Sequence, residues 1–194
     1  QSPQSMLWNA PGIEIAMPSC PADAKGLMRT AIKSNNPTVF IDHQKLNKLS
    51  GEVLDRAYDI PFGVADIKRE GADVTIVAAS LQVVHALEAA ETLSTEGIEA
   101  EIVDLRSLVP LDEEAILASV GKTGRLIVVD EAPPRCSIAS EVVATVAEKG
   151  MDLLKAPPVR VNRLPVHVPA NVALEDFVGP NTGRIVEAAK TLCG

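Results

Sequence analysis

Asp104-Leu105-Arg106-Ser107-Leu108-Val109-Pro110-Leu111-Asp112 is the stretch that decides the fold. It closes an apolar run, Glu99 to Leu105, that reads as a strand. The chain then bends through Pro110. Asp112, Glu113 and Glu114 place negative charge where a helix begins, which suits the partial positive charge of a helix N-terminus. That helix is predicted through Val120, and Arg125 to Asp130 is the next strand. Upstream, Asp73 to Ala79 is a continuous apolar run of the kind buried on both faces of a parallel sheet. Ser80 stands where it can cap the following helix. Val83, Val84, Leu87, Ala90 and Leu93 recur at helical spacing, and Gly97 ends the helix. Ser137 to Met151 reads as a helix, Val159 to Arg163 as a strand and Asn181 to Leu192 as a terminal helix. This alternation predicts an α/β domain over residues 71–194, a mainly parallel sheet with helices on both faces and right-handed crossovers.

Working outward, Ile13 to Met17 is a short apolar strand. Pro21 to Lys33 is predicted as a helix: Pro21 suits its first turn and Asp23 complements its positive end. Asn35-Asn36-Pro37 stops it, and Thr38 to Asp42 is a second strand. This β-α-β unit is too small to bury a core alone, so residues 1–43 are read as the end of a larger α/β domain. Gln44 to Glu70 is polar, with Gly51, Pro61 and Gly63, and is read as an irregular linker, residues 44–70.

Composition narrows the function classes. Apolar residues are 46% of the chain and aromatics only 3%, a largely aliphatic core typical of buried parallel strands. The net charge of −8 and the lack of any basic run argue against nucleic acid or an anionic membrane as partner. No apolar run approaches the roughly 20 residues of a membrane span. Cys20, Cys136 and Cys193 are odd in number and widely spaced, which fits reduced thiols in the cytoplasm better than a disulfide framework.

Few residues announce chemistry. No Gly-x-Gly-x-x-Gly and no phosphate-binding Gly-x-x-x-x-Gly-Lys-Ser/Thr occurs. His43, His85 and His167 are the only histidines. Each reads as an ordinary structural or surface imidazole or as a candidate acid–base group, and no pair has metal-ligand spacing. Asp130-Glu131 ends a parallel strand, where α/β crevices bind ligands. Adjacent carboxylates on a strand point to opposite faces, so they do not form an acid–base pair by themselves. Cys136 precedes a helix and reads as part of a rigid loop or as a thiol of lowered pKa. Asp104 and Arg106, two apart, are expected to share a strand face and form a buried or interface ion pair. The helix end from Ala31 to Asn36 carries unpaired carbonyls, which read as ordinary C-capping or as oxygen ligands for a monovalent cation.

The sequence resembles, over essentially its whole length, the transketolase-like β subunits of thiamin-diphosphate-dependent 2-oxo acid and acetoin dehydrogenases. The resemblance rests on Pro11-Gly12-Ile13, Pro18-Ser19, Asp23-Ala24-Lys25-Gly26-Leu27, Gly51-Glu52-Val53, Tyr58, Ile60-Pro61-Phe62-Gly63, the Asp104–Asp112 stretch and Lys122-Thr123-Gly124-Arg125-Leu126. Asp130-Glu131-Ala132 with Pro134-Arg135-Cys136-Ser137-Ile138-Ala139 is most similar to the acetoin branch. Leu164 to Pro169 departs from the family's His-Thr-Pro-Val-Pro-Phe. Ala31 to Pro37 resembles a loop whose carbonyls hold potassium in some members. By that likeness Ala31, Ile32, Ser34 and Asn36 are the candidate ligands, with Ser34 standing where the family usually has Asp.

The resemblance implies a pyrimidine-binding-domain remnant (1–43) followed by a transketolase C-terminal-like domain (71–194). It implies an assembly of α subunit, second β subunit and dihydrolipoyl acyltransferase core, using thiamin diphosphate with magnesium. Gln1-Ser2-Pro3 resembles the tail of a His-Ser-Gln-Ser-Pro segment, so the family's active-site His and Glu are expected upstream of Gln1. No Gly-Asp-Gly diphosphate motif is present. No catalytic or cofactor-binding residue is therefore expected here, and the chain alone is expected to be inactive, to bind the cofactor poorly and to self-associate. The alternatives are another transketolase-superfamily enzyme, such as deoxyxylulose phosphate synthase, or a non-catalytic α/β interaction module.

Overall fold

The computed structural model describes residues 2–194; Gln1, and with it the start of the Gln1-Ser2-Pro3 likeness, lies outside the described residues. Five strands form the main sheet in the order β3-β5-β4-β7-β8. They are β3 (Asp66–Arg69), β4 (Val74–Ala78), β5 (Ala100–Asp104), β7 (Leu126–Asp130) and β8 (Val159–Asn162). β4, β5, β7 and β8 run parallel, and β3 lies antiparallel on the β5 edge. The second sheet has order β2-β1-β6, built from β1 (Glu14–Ala16), β2 (Thr38–Phe40) and β6 (Ser107–Val109). The helices are α1 (Gln4–Leu7), α2 (Pro21–Lys33), α3 (Leu81–Ser94), α4 (Glu113–Thr123), α5 (Ile138–Lys149), α6 (Val172–Val178) and α7 (Thr182–Cys193).

The period-two alternation of the central strands sorts the core. Ile76, Ile102 and Ile127 face one side, where Ala86, Ala89 and Ala90 of α3 and Ile185 and Ala189 of α7 cover them. Val77, Val103 and Val128 face the other, under Ile116 and Val120 of α4 and Val142 and Val146 of α5. Small alanines let α3 approach closely, and every residue of β4, β5 and β7 is buried. The mainly parallel sheet with helices on both faces is thus present. Helix ends follow their caps. Asp112 accepts from the Ala115 N–H at 3.0 Å, Ser137 from Ser140 at 3.2 Å and Asn181 from Arg184 at 3.0 Å. Gly124 closes α4 in the left-handed region at φ +77°.

Two strands escaped the sequence reading. Asp66–Arg69, inside the stretch read as irregular, pairs with β5. Its one apolar residue, Ile67, gives no alternation to detect, and its strand state comes from the edge it joins. Ser107–Val109, read as a bend, pairs antiparallel with β1. Through this strand residues 14–40 join the rest of the molecule. The Met17 N–H donates to the Arg106 carbonyl at 2.8 Å, and Ile15 and Met17 lie in the same apolar cluster as Leu105 and Leu108.

Candidate functional site

Three polar clusters among the described residues bear on function, and one lies where the two sheets meet. Asp23, on the first turn of α2, is 1% exposed. The Lys68 ammonium reaches it at 2.5 Å and the Arg106 guanidinium at 2.8 Å. Asp66 closes the group, 2.7 Å from Lys68 and 2.9 Å from Arg106. The fully buried Asp104 carboxylate accepts from the Ser19 hydroxyl at 2.5 Å and from the Arg106 N–H at 3.0 Å, with Lys68 at 3.7 Å. Burial opposes ionisation of Asp23, but the Lys68 hydrogen bond and charge, the Cys20 thiol at 3.2 Å and Arg106 hold its carboxyl below the usual range. Burial likewise works against the Lys68 charge, and Asp23 and Asp66 more than offset it, so Lys68 stays protonated. At Asp104 burial prevails over Ser19 and Lys68 and pushes the carboxyl up to about 6.

The expected Asp104–Arg106 ion pair is corrected here. β5 ends at Asp104 and Arg106 turns into the left-handed region at φ 56°. Only its backbone N–H meets Asp104; its guanidinium swings to Asp23 and Asp66. A residue outside the strand no longer obeys the strand's face rule.

The second place is the C-terminal turn of α2. The Ser34 N–H donates to the Thr30 carbonyl at 3.0 Å and to Ala31 at 3.3 Å. The Glu14 carboxylate, on β1, accepts from the Ser34 hydroxyl at 2.6 Å, the Thr38 hydroxyl at 3.0 Å and the Asn36 amide at 3.2 Å. Burial works against ionisation more than any single donor works for it, yet the three donors together hold Glu14 below the usual carboxylate range. An anionic group therefore sits against the turn that carries Ala31, Ile32, Ser34 and Asn36. Sequence reading had no signal for Glu14, because its partners lie 20 or more residues away.

The third is the crevice beyond the carboxyl ends of β4 and β7. The adjacent carboxylates of Asp130, the last residue of β7, and Glu131, just beyond it, take different partners. Asp130 is 2% exposed and accepts from the backbone N–H groups of Ile138 at 2.7 Å and Ala132 at 3.0 Å, and from Gln4 at 3.3 Å. Burial raises its carboxyl despite these donors. Glu131 pairs instead with His43 Nε2 at 3.1 Å, which outweighs its own burial and lowers its pKa. His85 lies on α3, its Nδ1 3.1 Å from Gln82, with burial lowering its pKa. His167 is exposed, and so is Cys136, at φ 51° in the loop before α5. His43 and His85 border one crevice, with exposed His167 apart from them. Among the described residues no three His, Cys, Asp or Glu side chains are grouped as metal ligands.

Comparison with known proteins agrees with this architecture. Residues 63–185 match the family model described as transketolase, C-terminal domain. The β subunit of acetoin:2,6-dichlorophenolindophenol oxidoreductase from Bacillus subtilis is 49% identical over the whole chain, which spans 57% of that protein. Its counterpart from Cupriavidus necator is 51% identical over 95% of the chain and 55% of its own length. The β subunit of the pyruvate dehydrogenase E1 component from Bacillus subtilis is 42% identical over 96% of the chain and 58% of its own length. The chain thus spans somewhat over half the length of these relatives. A solved split-gene transketolase, described as an inactive β4 tetramer, superposes over all of the chain and 62% of its own, with TM-score 0.81 at 25% identity. The family match covers well over half of the chain, including the main sheet, and on that ground the chain belongs to the transketolase C-terminal domain family.

Proposed function

We propose that this chain forms part of the β subunit of a thiamin-diphosphate-dependent dehydrogenase component, acting on acetoin in preference to 2-oxo acids, and serves its assembly. The observation that carries this reading is the match to acetoin-type β subunits over the chain's full length at 49% identity, against 42% for the pyruvate type. The partners are an α subunit, a second β subunit and a dihydrolipoyl acyltransferase core, in the cytoplasm. Surface chemistry supports an assembly role. α6 leaves Val172, Leu174 and Phe177 at 68, 54 and 70% exposure, apolar area of the kind that subunit contacts cover. No helix of the described residues is long and apolar enough to cross a membrane.

The residues present do not fit a thiamin diphosphate cradle. They include no Gly-Asp-Gly segment and no converging metal-ligand group among those described. The cofactor and its magnesium are therefore assigned to the α subunit and to parts of a β subunit other than this one. No catalytic step is drawn through these residues. For potassium the reading rests on the carbonyls of Ala31, Ile32, Ser34 and Asn36 at the helix C-terminus, an all-oxygen environment of the kind a hard cation prefers, although Ala31 already accepts from the Ser34 N–H at 3.3 Å and Asn36 from the Thr38 hydroxyl at 3.4 Å.

Mixing the chain with a tagged acetoin-type α subunit tests the assembly reading. We expect co-elution in size-exclusion chromatography and weaker capture by a pyruvate-type α subunit. A chain that stays monomeric and is captured by neither would favour the free-standing interaction module. Thermal melts in potassium chloride against choline chloride, at equal ionic strength, test the cation: stabilisation specific to potassium and lost in Glu14→Gln is expected, and equal melting temperatures would remove the site.

A further inference from the structure

The central strand β4 ends on a residue held against its own preferences. Ser80 adopts φ 54° and ψ −132°, a sparsely populated region that costs a non-glycine residue strain. It occupies the position from which a serine hydroxyl ordinarily caps the next helix, yet it makes no capping bond to α3. The residue is 3% exposed, and its Oγ is buried without a hydrogen-bond partner. Native structures leave few buried polar atoms unpaired, and each calls for an explanation. Strain and a missing partner coincide on one side chain.

Its position supplies the explanation. Ser80 lines a crevice of about 450 Å³ beyond the carboxyl ends of β4 and β7. Strand order reverses there: the chain leaves β4 for β5 on one side and returns to β7 on the other. Open α/β sheets bind ligands at this kind of switch point, and the volume is that of a small-molecule site.

The lining selects the class of ligand. It carries the carboxylates of Asp42, Asp130, Glu131 and Glu175 against one lysine, Lys45, and His43. An anion would meet that acidic excess. A metal ion would have to displace existing partners at three of the four carboxylates, because Glu131 is held by His43, Glu175 by Lys45 at 3.6 Å, and Asp130 by backbone N–H groups. A hydrolytic Ser–His pair is also ruled out. His43 Nδ1 accepts from the Lys45 N–H at 3.1 Å and Nε2 faces Glu131, so no ring nitrogen is left for Ser80. The side chains of Ser80, Gln44 and Gln82 can each donate and accept, and Asp42 accepts. This inventory matches neutral hydroxyl groups, each of which does both.

We propose that the crevice at the ends of β4 and β7 binds a small neutral polyhydroxyl compound, with the Ser80 hydroxyl as its central hydrogen-bonding partner. The site goes beyond the assembly role and does not depend on which subunits the chain joins.

Proton–nitrogen NMR spectra of the full 194-residue chain, titrated separately with erythritol, inorganic phosphate and choline, test it. Erythritol is expected to shift the backbone amides of Leu81, Gln82 and Glu131 saturably, with the weak affinity that a ligand of so few atoms reaches. Ser80→Gly suits the backbone geometry and keeps the fold, and is expected to weaken erythritol about tenfold, the loss of one hydrogen bond. Unsaturable or absent erythritol shifts, stronger binding of phosphate or choline, or unchanged erythritol affinity in Ser80→Gly would each overturn the proposal.

Discussion

The two sheets of this molecule are held by different forces. The five-stranded sheet is a sandwich of aliphatic layers, and its central strands β4, β5 and β7 are buried at every residue. The three-stranded sheet is less completely buried: β2 has no buried residue, although Ile15 and Ala16 of β1 and Leu108 of β6 are in the core. Polar contacts fasten it, with Glu14 at one end and the Asp23–Lys68–Arg106 network at the other. Apolar burial is non-directional and survives small displacements, whereas a buried charge network stabilises only while every partner is in place. The first sheet should therefore fail by cavity or clash and the second by unpaired charge.

The largest effect expected is at Gly71, which leads into β4. A Cβ there would lie 2.2 Å from the Ala100 carbonyl carbon and 2.3 Å from the Glu101 nitrogen, backbone atoms of the paired strand that cannot yield. Gly71→Ala should abolish cooperative folding, and Ile76→Ala in the same sheet should cost about 3–4 kcal/mol. Val39→Ala, in the half-buried β2, should cost about 1 kcal/mol or less by the same principle. Urea unfolding of the three variants measures the contrast, and equal losses at Ile76 and Val39 would erase the distinction between the sheets.

The network is the next target. Asp23→Ala leaves Lys68 and Arg106 without the buried carboxylate they share and should cost about 3 kcal/mol, as broken buried ion pairs do. Hydrogen exchange locates the damage. Amides of residues 14–40 should lose protection while those of β4 and β7 keep theirs. Uniform loss would mean that the two sheets open as one unit.

A smaller effect depends on pH. The Asp104 carboxyl titrates near 6 when folded and near 3.9 when unfolded. The folded state therefore keeps a proton that the unfolded chain has released, so the group's favourable contribution is full below about pH 4 and lost as pH rises through 6. Asp23, held low, has the opposite sign: its contribution is present above about pH 4 and lost on acidification. The stability of the wild type relative to Asp104→Asn should fall by about 2–3 kcal/mol between pH 4 and 7, at 1.36 kcal/mol per pKa unit. A pH-independent difference would show that Asp104 stays ionised within the network.

The smallest effect carries the opposite sign. Ser80→Gly, at the end of β4, relieves a strained φ and removes an unpaired buried hydroxyl. It should stabilise the chain by about 1 kcal/mol despite the added flexibility of the unfolded state. A destabilised Ser80→Gly would mean that the hydroxyl has a structural partner after all.

The sequence by itself determined the elements that carry their own signal. Asp73 to Ala79 and Arg125 to Asp130 are apolar runs flanked by helices of clear period, and α2 lies at Pro21–Lys33 as its proline and closing Asn-Asn-Pro predict. Motif likeness over the Asp104–Asp112 stretch also pointed to the family. Only the tertiary structure decided the rest. β3 and β6 are strands because of the edges they join, Arg106 leaves Asp104 for Asp23 because the backbone turns left-handed between them, and Glu14 finds Ser34, Asn36 and Thr38 across a β-α-β crossover. Ser80 was read as a helix cap, and its residue type does favour that role; what removed the capping bond is the backbone angle at the end of β4. Burial of apolar runs is written along the chain at short period. Polar partnerships join residues far apart in sequence, and they exist only once the chain has closed on itself.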